Sequence, residues 1–65
     1  MTMYIIQIQC ANKEWQDKSV IQLFNPAHRN KVEQQIKEEM RSYGSIAVRC
    51  EIETPDKPIS YLSAH

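Results

Sequence analysis

The sequence predicts an α+β fold, a two-layer sandwich of three strands covered on one side by a single helix, and three observations carry that prediction. Two separate stretches, Tyr4 to Cys10 and Ser45 to Glu53, alternate apolar and polar residues with the two-residue period of a half-buried strand. Between them, Val32, Ile36, Met40 and Tyr43 recur at helical spacing. The chain has 65 residues, and a domain of that size buries only about 60% of the surface its unfolded chain exposes, so a second core is excluded. Residues 1–65 therefore read as one domain, with a core over 1–54 and a tail over 55–65 that is either docked or frayed.

Taken in order, Tyr4, Ile6, Ile8 and Cys10 fall on one side of the first strand and Gln7 and Gln9 on the other. Asn12 to Lys18 is polar apart from Trp15 and reads as a connection. Ser19 to Phe24 is short, β-branched at Val20 and Ile21, and apolar on both faces, which predicts a second strand. Asn25-Pro26 is a helix start, because asparagine caps well and proline loses nothing at a first-turn position. Asn30 with Glu33 offers a second start one turn later. Gly44 follows the stripe and supplies the left-handed residue that ends helices. In the third strand Ile46, Val48, Cys50 and Ile52 oppose Arg49, Glu51 and Glu53. Thr54-Pro55-Asp56-Lys57-Pro58 stops it, since proline cannot donate to a ladder.

A strand-helix-strand crossover makes its two strands parallel. With the first two strands joined as a hairpin, the connectivity is ββαβ and the sheet order 2-1-3. The face built from Ile6, Ile8, Val48, Cys50 and Ile52 then packs on the helix stripe. Strands one and three are antiparallel, so Cys10 and Cys50 lie several residues apart at about 3.4 Å each. That exceeds the roughly 5.5 Å Cα separation of a disulfide, and free thiols are expected. Were residues 19–24 helical instead, the two cysteines could meet.

Eight basic and eight acidic residues give zero net charge, which disfavours bulk binding to nucleic acid or anionic membrane. No apolar run approaches the roughly 20 residues that span a bilayer, and no leader pattern opens the chain, so a cytoplasmic protein is expected. Cys10, Cys50, His28 and His65 are zinc-ligand types, but none share the short spacing of a structural site. One glycine leaves no phosphate-cradling loop, and no serine sits in an elbow motif. These readings point to a protein that is not an enzyme and has no cofactor, no metal and no evident small-molecule substrate.

Two surfaces remain. His28, Arg29 and Lys31 cluster near the helix start, where an anion is favoured, although Arg29 is also placed to pair with Glu33 one turn on. One helix covers one side of a sheet. The other would carry Ile5, Gln7, Gln9, Ala47, Arg49 and Glu51, joined by Ile21 and Leu23, or by Val20 and Phe24, from the edge strand. Trp15, beside that strand, is a residue type common in interface hot spots. Either Ile59, Tyr61 and Leu62 fold back and close this side, or another protein does. The resulting expectation is a non-enzymatic protein-interaction module, an adaptor or stoichiometric inhibitor of the kind phages and mobile elements encode. It would bind a foreign protein or its own copy as a homodimer, through the open sheet face and the edge strand, with Trp15, Ile21, Leu23, Ile5 and Arg49 as contacts. The alternative is a weak or structure-selective nucleic-acid binder using His28, Arg29, Lys31 and Arg49.

Overall fold

A computed structural model of the chain describes residues 1–44 and 47–62. It contains β1 (Thr2–Gln9), β2 (Trp15–Leu23), a 3-10 turn (Pro26–His28), α1 (Arg29–Ser42), β3 (Val48–Thr54) and β4 (Lys57–Leu62). The fold is α+β, with one helix and an antiparallel sheet of order β2-β1-β3-β4. The order and directions of the first three strands are those the sequence predicts. Ser45 and Ile46, assigned to the third strand, and His65, in the tail, lie outside the described residues.

The sheet has four strands, which corrects the expected three. Pro55 and Asp56 are a two-residue turn that returns the chain antiparallel to β3, with Thr54 paired to Lys57. Proline followed by aspartate favours a turn as strongly as it stops a strand. Neither residue has a positive φ, so the turn lacks the geometry that best matches strand twist. The ladder compensates with a shift between Ile52 and Thr54 that leaves one extra residue on β4.

β2 begins at Trp15, not Ser19, so most of the expected connection is strand. Its pairing with β1 shifts between Ile6 and Gln7: Ile6 opposes Ser19, Gln7 opposes Asp17, and Lys18 is the bulged residue. A bulge resets the two-residue alternation midway, which hides such a strand from periodicity. The β1–β2 loop, Ala11 to Lys13, closes with Cys10 N–H donating to the Glu14 carbonyl at 2.8 Å and Lys13 N–H to the Cys10 carbonyl at 2.9 Å. Lys13 sits at φ 68°, a conformation usually taken by glycine. The Asn12 side chain accepts from Glu14 N–H at 3.1 Å.

The first of the two candidate caps starts the helical region. Asn25 accepts from Ala27 N–H at 3.0 Å and initiates the 3-10 turn that runs into α1. Gly44, at φ 67°, ends the helix and donates to the Arg41 carbonyl at 3.1 Å. Glu33 does not reach back to Asn30. It accepts from Tyr4 Oη at 2.8 Å and from Arg29 Nε at 3.0 Å.

Tyr4, Ile6, Leu23, Ile36, Met40 and Cys50 form the core, with Ile21, Val32, Tyr43, Val48, Ile52 and Leu62 packed around it. Each fully buried large side chain contributes about 1.5–3 kcal/mol. Both thiols are free. Cys50 opposes Ile6 in the register, four positions before Cys10, or roughly 14 Å along the strand.

Candidate functional site: the uncovered face of the sheet

Strand alternation assigns the face opposite α1. β1 contributes Met3, Ile5, Gln7 and Gln9, and the residues paired to them complete cross-strand rows. Asp17, Gln7 and Arg49 form one row across β2, β1 and β3, while Val20, Ile5, Glu51 and Tyr61 form the next across all four strands.

The first row is a continuous polar chain. Arg49 Nε donates to Gln7 Oε1 at 2.7 Å, and Gln7 Nε2 donates to Asp17 Oδ1 at 2.7 Å. Gln7 is 8% exposed with both ends of its amide used, as burial of a polar group demands. The chain runs from cation to anion, so each bond is charge-assisted. Above it, the Arg49 guanidinium carbon lies 4.2 Å from the centre of the Trp15 ring and 5.2 Å from that of Tyr61. Trp15 stands on one edge strand and Tyr61 on the other, so Arg49 bridges the face between two aromatic rings. Arg49 Nη2 is also 3.8 Å from Glu51 Oε1.

Around this centre the face is apolar and open. Val20 is 54% exposed, Ile59 53% and Tyr61 56%, whereas Ile5 beneath them is 9% exposed. Ile59 and Tyr61 do not fold back over the face. They lie in β4 and widen it, while Leu62 turns to the core side, opposite Cys50.

The expected contacts therefore divide. Trp15, Ile5 and Arg49 share the uncovered face. Ile21 and Leu23 do not: Leu23 is 7% exposed within the core and Ile21 packs against it. The register that pairs Ile21 with Tyr4 and Leu23 with Thr2 turns them toward α1, which makes Val20 the outward residue. Phe24, 76% exposed, lies beyond the strand end.

His28, Arg29 and Lys31 are exposed near the start of α1. Arg49 is on the opposite side of the sheet, so the four basic residues of the nucleic-acid reading do not converge. The Arg29–Glu33 pair is present. Burial pushes the Glu33 carboxyl up, but hydrogen bonds from Arg29 and Tyr4, with the charges of Arg29 and Lys37, hold it below its ordinary value. Burial, reinforced by Glu33, pushes the Tyr4 hydroxyl up to about 12. Cys50 is pushed up to about 11, chiefly by burial, which leaves little reactive thiolate at neutral pH. Among the described residues, no three of His, Cys, Asp and Glu gather closely enough to hold a metal. No described helix is long and apolar enough to cross a membrane.

Sequence reading placed Gln7 and Arg49 on one side of the sheet but missed Asp17, which accepts from Gln7, because the bulge at Lys18 breaks the alternation that would have put Trp15 and Asp17 in phase with β1. No protein-family model, curated protein or solved structure matches this chain.

Proposed function

We propose that this chain is a non-enzymatic, cytoplasmic protein-interaction module that binds through the uncovered sheet face, with Val20, Ile59 and Tyr61 as apolar contacts around the Trp15–Arg49–Tyr61 stack. One observation carries the reading: three large apolar side chains on this face are each more than half exposed, around a rigid polar centre that needs no partner. Contiguous exposed apolar surface marks interaction sites, and flat faces anchored by Trp, Tyr and Arg are typical of them.

The face, not an edge, is the binding element. Lys18 bulges β2, and β4 carries Lys57 and Pro58; bulges, lysines and prolines all discourage strand addition. Face-to-face docking keeps every ladder bond intact.

Sedimentation equilibrium from micromolar to millimolar protein, with wild type and a Val20→Ser/Ile59→Ser/Tyr61→Ser variant, tests the reading. A dimer lost in the variant identifies a second copy as the occupant. A monomer whose three side chains are broadened by a soluble nitroxide leaves the face to a foreign protein. A monomer in which the nitroxide cannot reach them removes the binding surface, and the proposal with it.

A further inference from the structure

On the helix side of the sheet, α1 leaves part of the surface beyond its first turn uncovered. Adjacent strands lie about 4.8 Å apart, so four of them make a surface wider than the roughly 10 Å of one helix. A cavity of about 430 Å³ opens there. That lies within the roughly 300–1,000 Å³ of small-molecule sites.

Its lining is unlike the core beside it. Arg29 contributes from the helix and Lys57 from β4, with the hydroxyl residues Thr2, Thr54 and Ser60 between them on three different strands. Ile52 and Pro58 supply the apolar part of the wall. No carboxylate is among the lining residues. Arg29 gives its Nε to Glu33, but a guanidinium has five donors in all. Lys57 has no ion pair among the described residues. Lys57 and the guanidinium donors that Arg29 does not give to Glu33 border one space, and hydroxyls beside cations complete the donor set that oxyanions accept.

We infer that this cavity, bounded by Arg29, Lys57, Thr2, Thr54 and Ser60, binds a small organic anion whose carboxylate or phosphate lies between the two cations and whose apolar body lies on Ile52 and Pro58. The cavity is too large for the headgroup alone to fill, so an organic body belongs to the ligand. The site is on the opposite side of the sheet from the uncovered face and is independent of it. Its residues come from the first strand, the helix start and the last hairpin, so the sequence shows no motif for it.

Amide shifts of the full chain, followed during titration with phenyl phosphate, benzoate, inorganic phosphate and uncharged benzyl alcohol, test the inference. Saturable shifts at Thr2, Thr54 and Ser60 are expected for phenyl phosphate or benzoate, and the tighter of the two identifies the headgroup. Lys57→Met, at an exposed site with no ion pair among the described residues, should weaken that binding about tenfold, the effect of losing one charged contact. Unsaturable shifts, shifts elsewhere, or equal binding by Lys57→Met would overturn the site. Inorganic phosphate binding as tightly as phenyl phosphate would overturn the organic ligand, and benzyl alcohol binding as tightly would overturn the anion.

Discussion

The two sides of this sheet keep their centres dry by different means. Toward α1, Tyr4, Ile6 and Cys50 are fully buried beneath Ile36 and Met40, and the Tyr4 hydroxyl brought in with them has Glu33 as its partner. On the other side no second layer exists among the described residues, yet Ile5 and Gln7 are 9% and 8% exposed. Long polar side chains laid flat over them do what a helix does elsewhere, with Arg49 bonded to Gln7 and stacked between Trp15 and Tyr61. A covering made of side chains shields a centre but leaves its rim exposed, and that rim is Val20, Ile59 and Tyr61. A small domain without enough chain for two cores thus obtains one full core and one open face with an exposed apolar rim from the same strands.

The largest test of that contrast sets Ile36 against the rim. Ile36 is fully buried, and Ile36→Ala should cost about 2–5 kcal/mol in urea unfolding, enough to unfold much of a domain this small. Val20→Ala and Ile59→Ala should each change stability by less than about 0.5 kcal/mol. A loss of more than about 1 kcal/mol at either rim position would mean that the face is a second core and not a surface.

The helix side also carries the pH dependence. Tyr4 titrates at about 12 in the folded chain, above its ordinary 10.0. A raised value makes its contribution complete below pH 10.0 and lost as pH climbs toward 12, a change on the order of 2 kcal/mol. Tyr4→Phe should cost about 1 kcal/mol at neutral pH through the lost hydrogen bond. The difference between the two proteins should then shrink and reverse across the alkaline range. Glu33 acts at the other end. Its lowered value keeps its contribution complete above the ordinary carboxylate range and loses it as pH falls through the folded value. An alkaline limb unchanged by Tyr4→Phe would disconnect that pair from stability.

On the uncovered side the critical group is Arg49. Arg49→Met removes the bond to Gln7 and both ring contacts, and should cost about 1–2 kcal/mol. Arg49→Lys should recover less than half, because an ammonium does not reproduce the planar stack and fork of a guanidinium. Trp15 emission reports the stack directly, since Trp15 is the single tryptophan. Emission and stability both unchanged in Arg49→Met would leave the face without a fixed centre.

How much of this could be read from residues alone followed from periodicity. β1, α1 and β3 alternate or repeat cleanly, so their order, directions and free cysteines were legible, as was the helix end at Gly44; the start stayed open between Asn25 and Asn30, and it is Asn25 that caps the 3-10 turn leading into α1. Two shifts in the ladder were not. The bulge at Lys18 concealed the first half of β2 and reversed which of Val20 and Ile21 faces out, and that moved Ile21 and Leu23 from the expected surface to the core. The shift in β4, after a proline-containing turn, made a strand look like a tail. The side to which Arg49 belongs survived, because β3 carries no shift against β1 over Arg49 to Glu53.

The smallest expected effect lies in the loop that sets this register. β2 turns Leu23 inward and Val20 outward only while the Ala11–Lys13 connection keeps its length and shape, since a slip of one residue exchanges the two sides. Lys13 holds a left-handed conformation, at φ 68°, that costs an L-residue with a Cβ roughly 1–2 kcal/mol. Glycine removes that cost but adds freedom to the unfolded chain, which offsets about 0.4–1 kcal/mol of the gain. Lys13→Gly should therefore stabilise by about 0.5 kcal/mol. The backbone carbonyl that accepts from Gln9 Nε2 at 3.2 Å remains in place, so the register and the exposure of Val20 should not change. Destabilisation by Lys13→Gly would show that the lysine side chain, not the backbone conformation, holds the hairpin. The bulge at Lys18 would then be the device that decides which side of β2 is core and which is surface.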